Sequence, residues 1–216
     1  MCRQSILIDN VNRGEIMFIR NEKLNDYMRL YPVVTTLIIL NIVLHLLKII
    51  PGIGPIMYLM GIGSNEMVAY GQWWRLITPI FLHADFMHLL MNMFSLYIFG
   101  PDLEKLIGKM RFITLFLLSG IFANVATYFL QPLSYIHVGA SGAIFGIFGA
   151  FLALVYYTRD NIPQLKQIIL PIVGISVVLT FLGSNINQTA HIGGLIVGFI
   201  IGLSYFHPKR IMSWKK

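Results

Sequence analysis

The sequence has 216 residues, of which 56% are hydrophobic and only 12% are charged. A soluble domain carries about 25% charged residues, so this composition excludes an ordinary soluble enzyme and indicates a polytopic membrane protein. The single cysteine, Cys2, excludes an internal disulfide. The first thirty residues contain no long apolar run, and they are therefore not a secretory signal peptide.

Six apolar stretches have roughly the length that a bilayer requires of a transmembrane helix. They are predicted at Val33–Ile50, Phe86–Phe99, Phe112–Leu130, Gly139–Tyr157, Gln167–Leu182 and Thr189–Phe206. Pro171 is expected to interrupt the fifth of them. The predicted fold class is thus an all-α membrane protein, with a six-transmembrane-helix bundle at residues 32–207. A short N-terminal segment, 1–31, precedes the bundle, and a basic tail, 208–216, follows it.

The connection between the first two spans, residues 51–84, is too apolar for an ordinary aqueous loop. Trp73 and Trp74 lie beside Arg75, and such rings and a snorkelling cation are typical of the headgroup region of a bilayer. We therefore expect a structured first external loop that is embedded in the outer leaflet of the membrane.

The placement of basic residues predicts the orientation in the membrane. Fourteen of the sixteen Lys and Arg residues fall in the two tails or in alternate connections, and Lys48 and Arg75 are the exceptions. By the positive-inside rule, both termini are cytoplasmic in a multi-pass protein of the plasma membrane. Orientation thus explains the net charge of +7, and no nucleic-acid partner is needed.

The second, fourth and sixth spans run in the same direction in this topology. Each has a polar residue within two turns of its outer end, namely His88, Ser141 and His191. A helix rises 1.5 Å per residue, so the three side chains are expected at similar depth. Small residues on two spans allow close helix packing: Gly142, Gly146 and Ala150 on the fourth, and Ala190, Gly194, Gly198 and Gly202 on the sixth.

Ser141 is a candidate nucleophile, although its Gly-x-Ser-Gly context alone equally suits a tight contact between membrane helices. A serine nucleophile needs a base, and the glycine contacts favour His191 for that role. No carboxylate lies at a comparable depth in the fourth or sixth span, so a Ser-His dyad is the simpler hypothesis. Phe145, one turn after Ser141, is a candidate to hold the imidazole by stacking.

His88 and Asn92 lie at positions i and i+4 of the second span and offer donors for an oxyanion, together with the Ser141 amide. A purely structural role is the alternative for this pair. The role of His83 is left open by the sequence, and capping the loop and hydrogen-bonding the start of the span are two uses it could have. A metal site at His83 and His88 is the rival interpretation, but only Asp85 is available nearby as a further ligand, so no metal is expected.

Together these motifs resemble those of the rhomboid family of intramembrane serine proteases. The resemblance covers roughly residues 33–206 and rests on four motifs in the family's order: Trp74-Arg75, His83 with His88 and Asn92, Gly139 to Gly142, and Ala190-His191 with Gly194 and Gly198. It implies Ser141 as nucleophile, His191 as base, and an oxyanion site formed by His88, Asn92 and the Ser141 amide.

The resemblance further implies a bacterial-type protease that cuts membrane proteins in or near a transmembrane segment. Its site would open to the extracytoplasmic side, and its fifth span would match the helix proposed to gate lateral entry. It implies no cofactor. Phe145 departs from the tyrosine that many relatives have, which keeps the ring and loses the hydroxyl. The alternatives are a catalytically silent, rhomboid-like binding factor and a small transporter, for which no inverted repeat is visible.

Overall fold

The computed structural model describes residues 17–160, 162–183 and 186–207. In this part of the chain the architecture is helical, with α1 to α9 in chain order at Leu24–Leu30, Pro32–Leu47, Ile53–Gly61, Asn65–Ala69, Phe86–Ile107, Lys109–Leu130, Ser141–Thr158, Pro163–Leu182 and Gln188–Phe206. Two short 3₁₀ turns lie at Trp73–Leu76 and Thr78–Phe81. Two short strands, β1 (Gly63–Ser64) and β2 (Ile136–His137), pair antiparallel.

Helix α7 forms the centre of the bundle. Within its span, 78% of residues are buried, compared with 39% in α6, 28% in α9 and 22% in α8. Its buried side chains are almost all small or apolar, so it can be surrounded by protein on most sides without leaving polar groups unsatisfied. The helix that begins at Ser141 is therefore also the best-packed helix among the described spans.

Glycines allow α7 and α9 to pack with their backbones in contact. A Cβ atom added at Gly194 would collide with the backbone carbonyl of Gly142, and one added at Gly198 would collide with that of Gly146. Any larger residue at these positions would push the helices apart, since a backbone carbonyl cannot rotate away. The two stripes of small residues predicted from the sequence thus face each other.

Four helices are long and apolar enough to cross a membrane among the described residues, and α1 with α2 would make a fifth, bent by 111°. These findings support a helical membrane protein. Helix α2 alone has 16 residues, and His88, Asn92 and Asp102 lower the hydropathy of α5. The count of six spans therefore stays a prediction.

The fifth predicted span differs from expectation at Pro171. Helix α8 begins at Pro163 and continues through Pro171 to Leu182 without interruption. A proline inside a helix removes one backbone hydrogen bond, but a membrane helix tolerates this when neighbouring groups or local adjustments compensate. The prediction that Pro171 breaks the span is wrong.

Two carboxylates tie the first helices to the far end of α5. Glu104 accepts hydrogen bonds from the backbone amides of Val33 and Val34, at 3.1 and 2.9 Å, and so caps the start of α2. Asp102 accepts a hydrogen bond from the Phe18 amide at 2.9 Å and pairs with Arg20. The segment just before α1 is thereby fastened to the bundle.

Candidate active site

Ser141 is the first residue of α7, and the chain enters this helix through Gly139. Gly139 has a φ of +126°, a region that favours glycine. Its amide donates to the carbonyl of Pro79 at 2.9 Å, which holds the entry loop against the second 3₁₀ turn. Among the described residues, no side chain caps the start of α7. The amides of its first turn therefore lack intrahelical partners and face the end of the bundle where Ser141 lies.

His191 lies in the first turn of α9, whose start is held by a side-chain network. The Asn187 carboxamide accepts a hydrogen bond from the Ala190 amide at 3.0 Å and donates to the Thr127 hydroxyl of α6 at 3.0 Å. Gln131, the residue after α6, donates to the Thr189 hydroxyl at 2.7 Å. These contacts fix the position of His191 relative to α6.

The close packing of α7 and α9 brings the surroundings of Ser141 and His191 together. A Cβ atom at Gly142, the residue after Ser141, would lie 3.4 Å from the carbonyl oxygen of Ala190, the residue before His191. Phe145, one turn further along α7, stacks on the imidazole of His191, with ring centroids 4.1 Å apart and planes at 18°. The imidazole thus lies against the face of α7 that carries Ser141.

Thr180 of α8 is a contact of His191 that the sequence analysis missed. Its Oγ1 lies 2.8 Å from His191 Nδ1, and the side chain is buried. A lone threonine in an apolar span gives no signal of its own. The only sequence signal is positional. Thr180 lies two residues before the end of α8 and His191 three residues after the start of α9, as neighbours in an antiparallel helix pair do.

His88 lies on the other side of Ser141. A Cβ atom at Gly139 would lie 2.6 Å from His88 Nε2 and 3.8 Å from Ser141 Oγ, so the imidazole and the hydroxyl flank the same glycine. Asp85 caps α5 by accepting a hydrogen bond from the His88 amide at 2.9 Å. Asn92 is buried and donates one amide hydrogen to the His88 carbonyl at 2.8 Å, which leaves its second hydrogen for another acceptor.

The sequence left the role of His83 open. Its ring is 1% exposed and neither ring nitrogen has a hydrogen-bond partner among the described residues, so it caps no helix. The ring packs edge-on against His88, with centroids 5.0 Å apart. Burial lowers the pKa of His83 to about 3, so the ring is neutral near pH 7. His83 therefore supports the His88 ring by packing.

Arg75 binds backbone carbonyls within the first external loop. Its guanidinium is buried and donates to the carbonyls of Leu59 and Ile62 at 2.8 and 2.7 Å. Trp74 is half-exposed and donates to the Met60 carbonyl at 3.1 Å. The end of α3 has carbonyls without intrahelical partners, and Arg75 binds them within the loop.

Lys48, the other basic residue outside the main charge pattern, also binds backbone carbonyls. Its Nζ donates to the carbonyls of His83 and Ala84 and lies 4.3 Å from the ring centroid of Tyr58. Both exceptions to the charge pattern thus connect parts of the loop that precedes α5. Each stabilises the loop that contains His83 and leads into α5, the helix that carries His88.

Comparison with known proteins identifies the family. The model of the Rhomboid domain matches residues 70–208, which is more than half of the chain. The chain belongs to the rhomboid family. The match includes Ser141, His191, His88 and Asn92.

Rhomboid relatives from several organisms support this assignment. The chain is 46% identical over 196 residues to the candidate rhomboid protease YdcA of Bacillus subtilis, covering 90% of this chain and 98% of YdcA. It is 38% identical over 150 residues to the rhomboid protease GluP of the same organism. That alignment covers 69% of this chain but only 29% of GluP. Rhomboid-like protease 1 of Toxoplasma gondii is 33% identical, over 68% of this chain and 53% of that protein.

Membership of the rhomboid family, together with relatives named as rhomboid proteases, makes this protein an intramembrane serine protease. Its helices are apolar enough for membrane spans, which agrees with that activity. Within the part of the rhomboid chain that the structure describes, no group of three His, Cys, Asp or Glu side chains is arranged to hold a metal ion.

Proposed function

We propose that Ser141 is the nucleophile and His191 the general base of a catalytic dyad. The observation that carries this proposal is the stacking of His191 on Phe145 at 4.1 Å. Ser141 and Phe145 are one turn apart on α7 and share a face, so the imidazole lies beside the serine. The close approach of Gly142 to Ala190, where an added Cβ would lie 3.4 Å from the carbonyl oxygen, supports the same placement.

The dyad accounts for each proton in peptide-bond hydrolysis. Ser141 Oγ attacks the carbonyl carbon of the substrate while its proton passes to His191 Nε2. The imidazolium then gives this proton to the leaving amine nitrogen, the C–N bond breaks, and an acyl-enzyme on Ser141 remains. Water then attacks the ester carbonyl while its proton passes to His191 Nε2, and the imidazolium returns that proton to Ser141 Oγ as the ester C–O bond breaks and the acid product leaves.

The oxyanion that forms during attack would be stabilised by His88, the second amide hydrogen of Asn92 and the backbone amide of Ser141. His88 Nε2 and Ser141 Oγ flank Gly139, which places a donor on the His88 side of the reacting carbon. The Ser141 amide is at the start of α7, where unpaired amides and the helix dipole both favour negative charge. Mutating one such donor typically lowers kcat by about a hundredfold to a thousandfold.

The proposed topology is that of the sequence analysis. Six spans within residues 32–207 form the protease domain, and segments 1–31 and 208–216 are cytoplasmic. The site opens to the extracytoplasmic side of the plasma membrane. Its substrates are transmembrane proteins. The parallel direction of α5, α7 and α9 supports this arrangement. A C-terminal alkaline phosphatase fusion should be inactive, while a C-terminal green fluorescent protein fusion should be fluorescent.

The dyad is tested in proteoliposomes that contain a single-span substrate with a fluorescent reporter. Ser141→Ala and His191→Ala are each expected to lower cleavage by about a thousandfold or more, since the two residues act as a unit. Ser95→Ala is the matched control, because Ser95 is on α5 and donates only to its own helix. A fluorophosphonate probe should label the wild type and Ser95→Ala. Cleavage that persists in both site variants would exclude the dyad.

A further inference from the structure

We propose that Thr180 is a positioning residue that fixes the tautomer of His191. The inference rests on the proposed dyad and concerns the nitrogen of His191 that does not face the nucleophile. Thr180 Oγ1 lies 2.8 Å from His191 Nδ1, which is hydrogen-bond distance. Thr180 is on α8 and is 2% exposed, so water does not compete for this contact.

Proton accounting decides the direction of this hydrogen bond. The Thr180 hydroxyl has one proton, and it is donated to the backbone carbonyl of Ser176 at 2.9 Å, one turn earlier on the same helix. The lone pair of Thr180 Oγ1 is therefore the acceptor for His191, and Nδ1 carries the hydrogen. Neutral imidazole has a hydrogen on only one nitrogen, so Nε2 is left unprotonated.

This tautomer is the one that a general base requires. An unprotonated Nε2 can accept the proton of Ser141, whereas an Nε2–H tautomer cannot. In a Ser-His-Asp triad a carboxylate accepts from Nδ1–H and holds the imidazole in the correct tautomer. Here a neutral hydroxyl takes that position, which avoids the cost of burying a charged carboxylate within the bundle.

The imidazole is held on two sides. Phe145 of α7 covers one face of the ring, and Thr180 of α8 contacts Nδ1. Rotation of the ring about the Cβ–Cγ bond would lose both contacts. Thr180 thus restricts the orientation that presents Nε2 to the α7 side.

The same contact links His191 to a sparsely buried helix. The buried residues of α8 are Leu165, Ile169, Val173 and Thr180, and only the last of these is polar. Displacement of the end of α8 away from the bundle would remove the acceptor from Nδ1. The state of the base is therefore coupled to the position of α8.

The kinetic test compares three variants in proteoliposomes. Thr180→Val keeps the shape but removes the acceptor, and loss of one neutral hydrogen bond predicts about a tenfold lower kcat. KM should change by less than about twofold, because Thr180 acts on the base rather than on substrate binding. Thr180→Ser should restore most of kcat. Thr158→Val is the matched control, since Thr158 is equally buried and donates only to its own helix.

The outcomes separate this inference from the dyad itself. If Ser141→Ala and His191→Ala abolish cleavage while Thr180→Val has wild-type kcat, the dyad stands and the positioning role is excluded. If Thr180→Val slows cleavage but Thr180→Ser does not restore it, the hydroxyl is not responsible and the proposal is overturned.

A spectroscopic measurement on the wild type tests the tautomer without any Thr180 variant. The protein is labelled with ¹⁵N-histidine in lipid nanodiscs, and the His191 signals are assigned by their loss in His191→Gln. We expect the Nδ1–H tautomer in the neutral state. An Nε2–H tautomer would overturn the proposal, even if Thr180→Val fails to fold.

Discussion

The imidazole of His191 lies nearly parallel to the ring of Phe145, with centroids 4.1 Å apart and planes at 18°. One residue is on α9 and the other on α7, so the stack exists only because glycines let these helices meet at backbone distance. The geometry depends on the ring, and the sequence has phenylalanine where many rhomboids have tyrosine.

Phe145→Leu should lower kcat by about threefold to tenfold, since an aromatic pair contributes about 0.5–1.5 kcal/mol beyond the area that it buries. Phe145→Tyr should keep wild-type kcat because the stacked ring is retained. Cleavage of the single-span substrate and the thermal midpoint are measured together. Phe148→Leu is a control on the same helix, since Phe148 contacts Phe99 and Phe145 but not the imidazole. Full activity of Phe145→Leu would show that stacking does not orient the base.

Gly139→Ala should abolish most activity. An alanine there is strained at φ +126°, and its Cβ would lie 2.6 Å from His88 Nε2. Gly71→Ala is the matched control, because Gly71 has φ +92° but nothing lies within 4 Å of an added Cβ. Both variants should lose about 1–3 kcal/mol of stability from backbone strain. Only Gly139→Ala should also lose fluorophosphonate labelling, and equal labelling of the two variants would contradict the role of Gly139.

Gly194→Leu should prevent α7 and α9 from packing. The added side chain meets the Gly142 backbone, and the expected loss of stability is about 3 kcal/mol or more. Gly174→Leu receives the same side chain on α8, where an added Cβ meets nothing within 4 Å, and should fold normally. Thermal unfolding in detergent distinguishes them. A normally folded, fully active Gly194→Leu protein would exclude the proposed helix contact.

The stability of the protein should fall in mild acid through His137. Burial lowers the pKa of His137 from its ordinary value of 6.5 to about 4. The unfolded chain therefore binds a proton at this residue at a higher pH than the folded chain does. The contribution of neutral, buried His137 to the free energy of unfolding is complete above about pH 6.5 and is lost as the pH falls towards 4.

His137→Phe cannot bind that proton and should reduce the decrease in thermal midpoint between about pH 7.5 and pH 5. His137 pairs with Gly63 across the short β-ladder, and the aromatic substitute keeps a planar side chain at that position. The midpoint is measured at both pH values for the wild type and the variant. An unchanged decrease in His137→Phe would exclude this residue as the origin of the acid sensitivity.

Much of the helical framework could be predicted from the sequence. The third, fourth and sixth spans begin within three residues of the observed helices α6, α7 and α9. Long apolar runs are reliable because a lipid environment forces every backbone group into internal hydrogen bonds. The prediction failed at Pro171, where a local rule for soluble helices was applied inside a helix that tolerates proline.

The loop before α5 was harder to predict. Its composition indicated a structured element, but not that Arg75 binds the carbonyls of Leu59 and Ile62. Leu59 and Ile62 precede Arg75 by 16 and 13 residues, and a hydrogen bond over such a separation leaves no local pattern in the sequence. The role of His83 was left open by the sequence, and its ring packs against that of His88.

By itself, the sequence determined the helical membrane class, the motif around Ser141 and the small-residue stripes, because these depend on hydropathy and on spacing along one helix. Tertiary structure decided which groups surround the His191 ring. Phe145 was a candidate from its spacing, but Thr180 comes from another helix and was invisible until α8 packed beside α9. A hydrogen bond between helices is set by their rotation and separation, and no single-helix periodicity encodes these.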